Sequence, residues 1–78
     1  LRGNLYPNPA QFSANLVSNH RLKCEDFRVL SVEGRQVNAR FYPGQENQIR
    51  IDLSALSPGL YFVYHPDLEG LERLIVRE

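Results

Sequence analysis

Residues 48–53 read Gln-Ile-Arg-Ile-Asp-Leu, an unbroken alternation of polar and apolar side chains. Ile49, Ile51 and Leu53 recur at every second position, the spacing at which the side chains of a β-strand point to one face of a sheet. The polar residues between them point to the opposite face. The stretch therefore predicts a strand with one buried face and one solvated face.

The same period of two recurs on both sides of this stretch. Two further strands of this kind are predicted from the apolar sets Phe12, Ala14 and Leu16, and Val37, Ala39 and Phe41. Residues 27–32 and 60–64 carry apolar side chains on both faces, which is typical of a central strand covered on both sides or of the edge of a contact surface. We expect residues 60–64 to be the most buried strand and residues 72–76 to form the last strand.

Turn-forming residues separate the predicted strands. Glu33-Gly34 and Pro43-Gly44 offer glycines for positive φ, and Pro58-Gly59 matches the two central positions of a type II turn. No long stretch has the helical period. We predict an all-β fold, a small immunoglobulin-like β-sandwich of about seven antiparallel strands.

Length and composition limit the classes of function. A chain of 78 residues has room for one domain, and 42% hydrophobic with 23% charged residues is a composition that folds. Nine basic and nine acidic residues cancel, which argues against nucleic acid as a partner. No apolar run approaches the roughly 20 residues of a membrane-spanning helix. The start without Met or a signal peptide suggests a piece of a longer protein.

Side chains with catalytic or metal-binding chemistry are few. The best local cluster is His20, Cys24, Glu25 and Asp26. A single cysteine forms no internal disulfide, and the pair of Cys24 and His20 could make a thiolate nucleophile or only half of a structural zinc site, which requires four ligands. We interpret the cluster as a loop in which Cys24 is a small buried hydrophobe or a spectator, and we expect neither a cofactor nor an active site.

Two other features have both a structural and a functional interpretation. His65 precedes Pro66 at the end of an apolar strand, and we interpret it as a strand-end residue fixed by the turn. Arg40-Phe41-Tyr42 suggests a stacking platform for sugars or bases. Phe41 already belongs to the apolar set of its strand, which leaves a single aromatic ring and weakens that interpretation.

Leu5-Tyr6-Pro7-Asn8-Pro9-Ala10 places two prolines after an apolar pair. Each proline lacks the N–H that a β-ladder needs and holds the preceding residue extended. The first strand must therefore end at this motif. Taken alone, the motif indicates only a strand end.

The order of the motifs along the chain resembles the C-terminal sorting domain of the type IX (Por) secretion system of Bacteroidetes. The resemblance covers residues 5–77, with an opening Tyr-Pro-Asn-Pro-Ala, a Gly-Arg-x-Val turn, an Ile-Asp-Leu-Ser and a Gly-x-Tyr-x-Val strand. It departs at Gln11-Phe12, where the family often has an acidic residue or Asn. It also departs at Glu72 and Glu78, because the last strand of the family tends to be richer in lysine. The residues that match the family motifs are Tyr6, Pro7, Asn8, Pro9, Gly34, Val37, Asp52, Leu53, Ser54, Leu56, Gly59, Tyr61 and Val63.

The resemblance implies a secretion signal that directs its parent protein through the outer membrane and is cleaved afterwards. The implied partners are the outer-membrane translocon and a sortase-like peptidase, and the implied route is the periplasm, then the outer-membrane surface or the medium. Residues 1–4 would end an upstream linker and residues 5–78 would form the sorting domain. The candidate residues for recognition by the translocon are Leu71, Leu74, Ile75, Val76, Arg77 and Glu78.

One alternative function and one additional contact between copies remain open at this point. An immunoglobulin-like or fibronectin-like accessory module, for carbohydrate binding or domain spacing, would share the same fold. An exposed strand edge is one mode of recognition by a partner, and it would also allow a weak homodimer. Polysaccharide binding, passenger delivery and light scattering would distinguish these alternatives.

Overall fold

The computed structural model describes residues 3–18, 23–45, 47–68 and 70–77. These residues form eight strands and one short 3-10 turn at Cys24–Asp26. The strands are β1 (Gly3–Tyr6), β2 (Ser13–Ser18), β3 (Arg28–Ser31), β4 (Gln36–Val37), β5 (Arg40–Pro43), β6 (Gln48–Asp52), β7 (Gly59–Tyr64) and β8 (Glu72–Val76).

The strands form two antiparallel sheets packed face to face. Sheet A has the order β1-β2-β6-β5, and sheet B has the order β4-β3-β7-β8. The predicted all-β sandwich is confirmed. Within the described ranges, no helix has the length and apolarity that a membrane span needs.

The core lies between the sheets and is built from the alternating apolar positions. Along β2, buried residues alternate with half-buried ones, and in β6 both isoleucines face the core. Burial of each large aliphatic side chain stabilises the fold by about 1.5–3 kcal/mol. The buried apolar residues are Ala10, Ala14, Leu16, Phe27, Val29, Ile49, Ile51, Leu53, Val63, Leu68, Leu74 and Val76.

The strand predicted from Val37, Ala39 and Phe41 is divided between the two sheets. β4 ends at Val37 and pairs with β3 in sheet B, whereas β5 begins at Arg40 and pairs with β6 in sheet A. All three predicted side chains still pack against the core. The period of two therefore identified the inward-facing side chains, but it could not show that the chain crosses from one sheet to the other, which raises the strand number to eight.

Phe12 was wrongly assigned to the core. It lies just before β2, and its side chain is 70% exposed. Its carbonyl accepts a hydrogen bond from the Leu53 backbone N–H at 2.9 Å. The chain crosses here from the edge of sheet B to sheet A, so the alternation begins only at Ala14.

The prediction that residues 60–64 are the most buried strand is also wrong. β7 is a central strand of sheet B, but only Val63 is fully buried. Leu60 is 37% exposed and Tyr64 is 41% exposed. The neighbouring strands β3 and β8 pair with both backbone edges of β7. In a sandwich of two sheets, only one of its two faces is covered by the other sheet.

Two of the three predicted turns differ in detail. Gly34 has the expected positive φ of 83° and closes the β3–β4 turn, where its N–H donates to the Ser31 carbonyl at 2.9 Å. In the β5–β6 loop the positive φ belongs to Asn47, at 60°, and not to Gly44. Gly59 has a φ of 155°, far from the roughly +80° of a type II turn.

Candidate functional site

The segment of residues 7–10 lies along the outer edge of β8, the side of the last strand that β7 does not pair. The Asn8 side chain spans two positions of that edge. Its Nδ2 donates to the Arg73 carbonyl at 2.9 Å, and its Oδ1 accepts from the Ile75 N–H at 3.0 Å. A carboxamide carries the same donor and acceptor as a peptide group, so Asn8 pairs with β8 as a strand would.

Ala10 continues the pairing by its backbone. The Ala10 N–H donates to the Ile75 carbonyl at 2.8 Å, and the Arg77 N–H donates to the Ala10 carbonyl at 2.7 Å. These bonds form a single parallel bridge between Ala10 and Val76. The Ala10 side chain is fully buried. We refer to Asn8 and Ala10 together as the clasp.

The two prolines explain why a side chain is needed in the clasp. Neither Pro7 nor Pro9 has an N–H to give to β8, so neither backbone can donate to the Arg73 carbonyl. Asn8, between them, donates to that carbonyl and accepts from the Ile75 N–H through its side chain. Unpaired edge groups are a template for pairing with another chain, and the clasp occupies this edge at residues 73–77.

The Gly-x-Tyr-x-Val motif forms β7 and holds the other side of β8. Its register pairs Gly59 with Val76 and Tyr61 with Leu74. The Tyr61 ring packs against the core, and its hydroxyl donates to the Ser57 carbonyl at 2.7 Å. The last strand is therefore held on one edge by β7 and on the other by the clasp.

The Ile-Asp-Leu-Ser motif ends β6 in a side-chain-stabilised turn. The Asp52 carboxylate accepts the Ser54 N–H at 3.0 Å, and the Leu56 N–H donates to the Leu53 carbonyl at 3.0 Å. Hydrogen bonds from the backbone and the hydroxyl of Ser54 lower the pKa of Asp52, and Arg50 and Arg40 lower it further. Leu53 is buried, which anchors the turn to the core.

The candidate recognition residues fall into two groups. Leu74 and Val76 are buried in the core, and their side chains are inaccessible to a partner while the domain is folded. Leu71, Ile75 and Arg77 are exposed, with Leu71 at 50% and Ile75 at 41%. Glu78 lies outside the described residues. The exposed residues are the ones that can meet a partner.

A family model described as a secretion system C-terminal sorting domain matches residues 4–76, nearly the whole chain. The chain belongs to this family. The domain is a C-terminal sorting signal for type IX secretion, it interacts with the secretion machinery, and it is exported to the cell surface or beyond with its parent protein. This function is supported over that of an accessory module. No curated protein and no solved structure matches the chain.

The family is not known for enzymatic activity, and the sorting domain offers little reactive chemistry. Cys24 begins the 3-10 turn. Its partial burial raises the pKa of its thiol, and the negative charge of Glu25 raises that pKa further. A raised pKa disfavours the nucleophilic thiolate. His20 lies outside the described residues, which contain no group of three or more metal-binding side chains placed to hold an ion.

His65 and Tyr42 have structural contacts in the sorting domain. The buried His65 ring lies 4.6 Å from the Phe27 ring, and its Nδ1 accepts the Asp67 N–H at 3.0 Å, so the histidine joins β7 to the following turn. Its Nε2 has no hydrogen-bond partner among the described residues. Tyr42 lies under the Arg50 guanidinium, 4.9 Å from the ring centre.

The outward face of sheet B is an apolar surface of which the predicted site residues include only Ile75. The apolar side chains that point outward there are not among those that pack against the core, although all but Ile75 belong to the central strands β3 and β7. The signal was present as apolar residues at both parities of residues 60–64. Of the two interpretations that this pattern allowed, coverage on both faces is wrong for residues 60–64, because the outward face of β7 is uncovered.

Proposed function

We propose that the type IX outer-membrane translocon recognises this sorting domain in its folded form, after passage through the periplasm, by side chains on and around β8. Leu71, Ile75 and Arg77 form the exposed part of this site. Leu74 and Val76 contribute by fixing the strand to the core. Glu78 completes the candidate set.

The clasp is the observation that supports this proposal. It joins the opening family motif to the last strand, so two signatures about 65 residues apart belong to one structural unit. The motif then acts by holding β8 in shape. Because the clasp occupies the backbone edge at residues 73–77, recognition there proceeds through side chains instead of through an added strand.

Removal of the domain by a sortase-like peptidase is the second part of the proposal. The linker was predicted to end at Asn4 and the domain to begin at Leu5. In the structure, Gly3 pairs with Ser18 and Asn4 pairs with Val17. A cut on the N-terminal side of Gly3 would leave β1 intact, and this supports a boundary upstream of that residue.

A homodimer through a strand edge is a weaker part of the proposal. Because the clasp covers β8, strand pairing between copies would use β1, β4 or β5, the other edges of the two sheets. Light scattering over a concentration series, on the wild type and on a variant with a proline in β5, would test this contact. A concentration-dependent mass that the proline leaves unchanged would exclude β5.

The recognition proposal is tested with a fluorescent passenger that carries an export signal and the whole chain, expressed in a type IX host. We expect surface delivery for the wild type and periplasmic retention after deletion of residues 74–78. Leu71→Ser combined with Arg77→Ala should also reduce delivery, and Arg35→Ala, in the exposed β3–β4 turn, is the matched control.

Deletion of three of the five residues of β8 also threatens the folding of so small a domain, so circular dichroism and thermal melting accompany each variant. The double substitution removes no buried group and should retain the wild-type melting curve. Full delivery of the passenger by both the truncated and the doubly substituted chains would contradict recognition at β8.

A further inference from the structure

The outward face of sheet B carries an apolar strip. On β7, Leu60, Phe62 and Tyr64 alternate with the inward-facing Tyr61 and Val63. Leu60 and Tyr64 are exposed, and Phe62 is half-buried without packing against the core. Three large apolar side chains thus lie in a row on the outside of a central strand.

The register extends this row across the neighbouring strands. Leu60 lies opposite Ile75 on β8, and Phe62 lies opposite Leu30 on β3. Directly opposed residues in a sheet have Cβ atoms about 4.5–5.5 Å apart, so these side chains form a continuous surface. We refer to Leu30, Leu60, Phe62, Tyr64 and Ile75 as the apolar strip.

Arginines border the strip. The register places Arg28 opposite Tyr64 and Arg73 opposite Phe62. Among the described residues that point outward from the strands of sheet B, these two are the only charged ones, and none is a carboxylate. Arg28 is also held in place, since its Nη1 donates to the carbonyls of Glu25 and Phe27 at 2.8 and 2.7 Å.

We propose that the apolar strip docks onto a protein of the secretion machinery whose own surface is apolar and bordered by carboxylates. This inference rests on the proposed function and names the chemistry of the partner. Aromatic residues and arginine are the side chains enriched in protein interfaces, whereas Lys, Glu and Asp are depleted there. Phe62, Tyr64 and the two arginines are residues of this kind, and no carboxylate points outward from the described strands of sheet B.

The charges and the shape select this occupant over two others. A second copy of the chain would bring arginines against arginines and no carboxylates, which is unfavourable across an interface. Insertion into a lipid surface needs apolar side chains that project beyond their surroundings, whereas the strip lies on a pleated sheet in which Leu30 and Phe62 are half-buried. A flat, arginine-bordered strip fits an acidic-rimmed protein surface.

The test uses the same passenger and host with strand-compatible substitutions. Leu30→Thr, Leu60→Thr and Phe62→Thr remove the apolar surface on β3 and β7, outside the residues proposed for recognition at β8, and retain a residue that favours strands. The matched control is Asn15→Thr with Val17→Thr on the outward face of β2, a central strand of sheet A. We expect the triple variant to lose about tenfold or more of surface delivery and the control to deliver normally.

The acidic character of the partner is tested separately. Arg73→Glu should reduce delivery by about tenfold, and Arg73→Lys should retain most of it, since Lys keeps the charge. The clasp uses only the carbonyl of Arg73, so both variants leave it intact. Each variant must keep the wild-type melting curve to be compared, and Phe62→Thr alone replaces the triple variant if that one fails to fold.

The outcomes distinguish the inference from the proposed function. If the wild type delivers its passenger and the triple variant delivers equally well, the strip is not the docking surface and recognition at β8 can still stand. If the wild type fails to deliver, the proposed function itself fails. Delivery by Arg73→Glu equal to that of the wild type overturns the carboxylate border of the partner. If the wild type co-sediments with phosphatidylglycerol vesicles and the triple variant does not, the strip binds a membrane and the protein partner is overturned.

Discussion

The outward faces of the two sheets differ although the sheets are alike in strand number and pairing. The outward positions of sheet A are mostly polar, with Asn15, Gln48 and Arg50 on its central strands. The central strands of sheet B present Leu30 and Phe62 at the corresponding depth. The outward face of sheet A is solvated and mostly polar, whereas that of sheet B is apolar, and this difference supports our proposal that a partner docks on sheet B.

The largest effect is expected where β8 meets the core. Leu74→Ala removes a fully buried side chain and should lower the free energy of unfolding by about 2–5 kcal/mol. A domain of this size has about 4–12 kcal/mol in total. Ile75→Ala, one residue away on the outward face, is the matched control, and urea unfolding of both measures the difference. Equal losses would mean that the two faces of β8 are not distinct.

The alternation of apolar residues predicted much of this fold. The bounds of β8 and the inward residues Ile49, Ile51 and Leu53 were predicted correctly, because a half-buried strand has a pattern that is local in sequence. The outward residues of β7 were misassigned because an apolar residue on the second face of a strand has the same pattern whether a layer covers it or not. The prediction of β7 as the most buried strand failed for this reason.

The clasp could not have been predicted from local patterns. Asn8 bonds to backbone groups 65 and 67 residues away, and the sequence contains no local trace of that contact. The two prolines predicted only the end of β1, and β1 does end at Tyr6. What the asparagine between them does depends on how sheet B is placed beside this segment, which is a property of the tertiary structure.

A smaller effect is expected from the clasp. Asn8→Ala removes two hydrogen bonds at a partly solvated edge and should destabilise the domain by about 1–2 kcal/mol. It should also free the edge of β8, so that the variant associates at concentrations where the wild type is monomeric. Asn8→Asp retains the acceptor for the Ile75 N–H and loses the donor to Arg73.

Urea unfolding and light scattering measure the two effects of the clasp variants. The Asp variant should associate less than the Ala variant, since it still covers part of the edge. A stable, monomeric Asn8→Ala chain would show that Ala10 alone suffices to close sheet B. The edge of β8 would then need no side-chain clasp.

On the polar face of sheet A the expected effects are smaller again. The Arg50 guanidinium over the Tyr42 ring is an exposed cation–π pair between neighbouring strands, worth about 0.5–1 kcal/mol. A double-mutant cycle of Arg50→Ala and Tyr42→Leu isolates the pair from the effects of each side chain. A coupling energy of zero would mean that the two side chains are neighbours without a stabilising interaction. Passenger delivery should be normal in all members of the cycle.

The smallest effect is expected from Asp52, at the solvent-exposed end of β6. The hydrogen bonds from Ser54 hold the pKa of its carboxyl below the ordinary value of 3.8. A group whose pKa is lower in the folded state stabilises the fold above its unfolded pKa, and this stabilisation is lost as the pH falls through the folded pKa. Asp52→Asn cannot be protonated in this range. The difference in urea midpoint between the wild type and Asp52→Asn should therefore be constant above about pH 5 and should shift against the wild type below pH 4. A pH-independent difference would mean that the turn is stabilised without the charge. A larger loss of unfolding free energy from Asp52→Asn than from Asn8→Ala would reverse the expected order of the two effects.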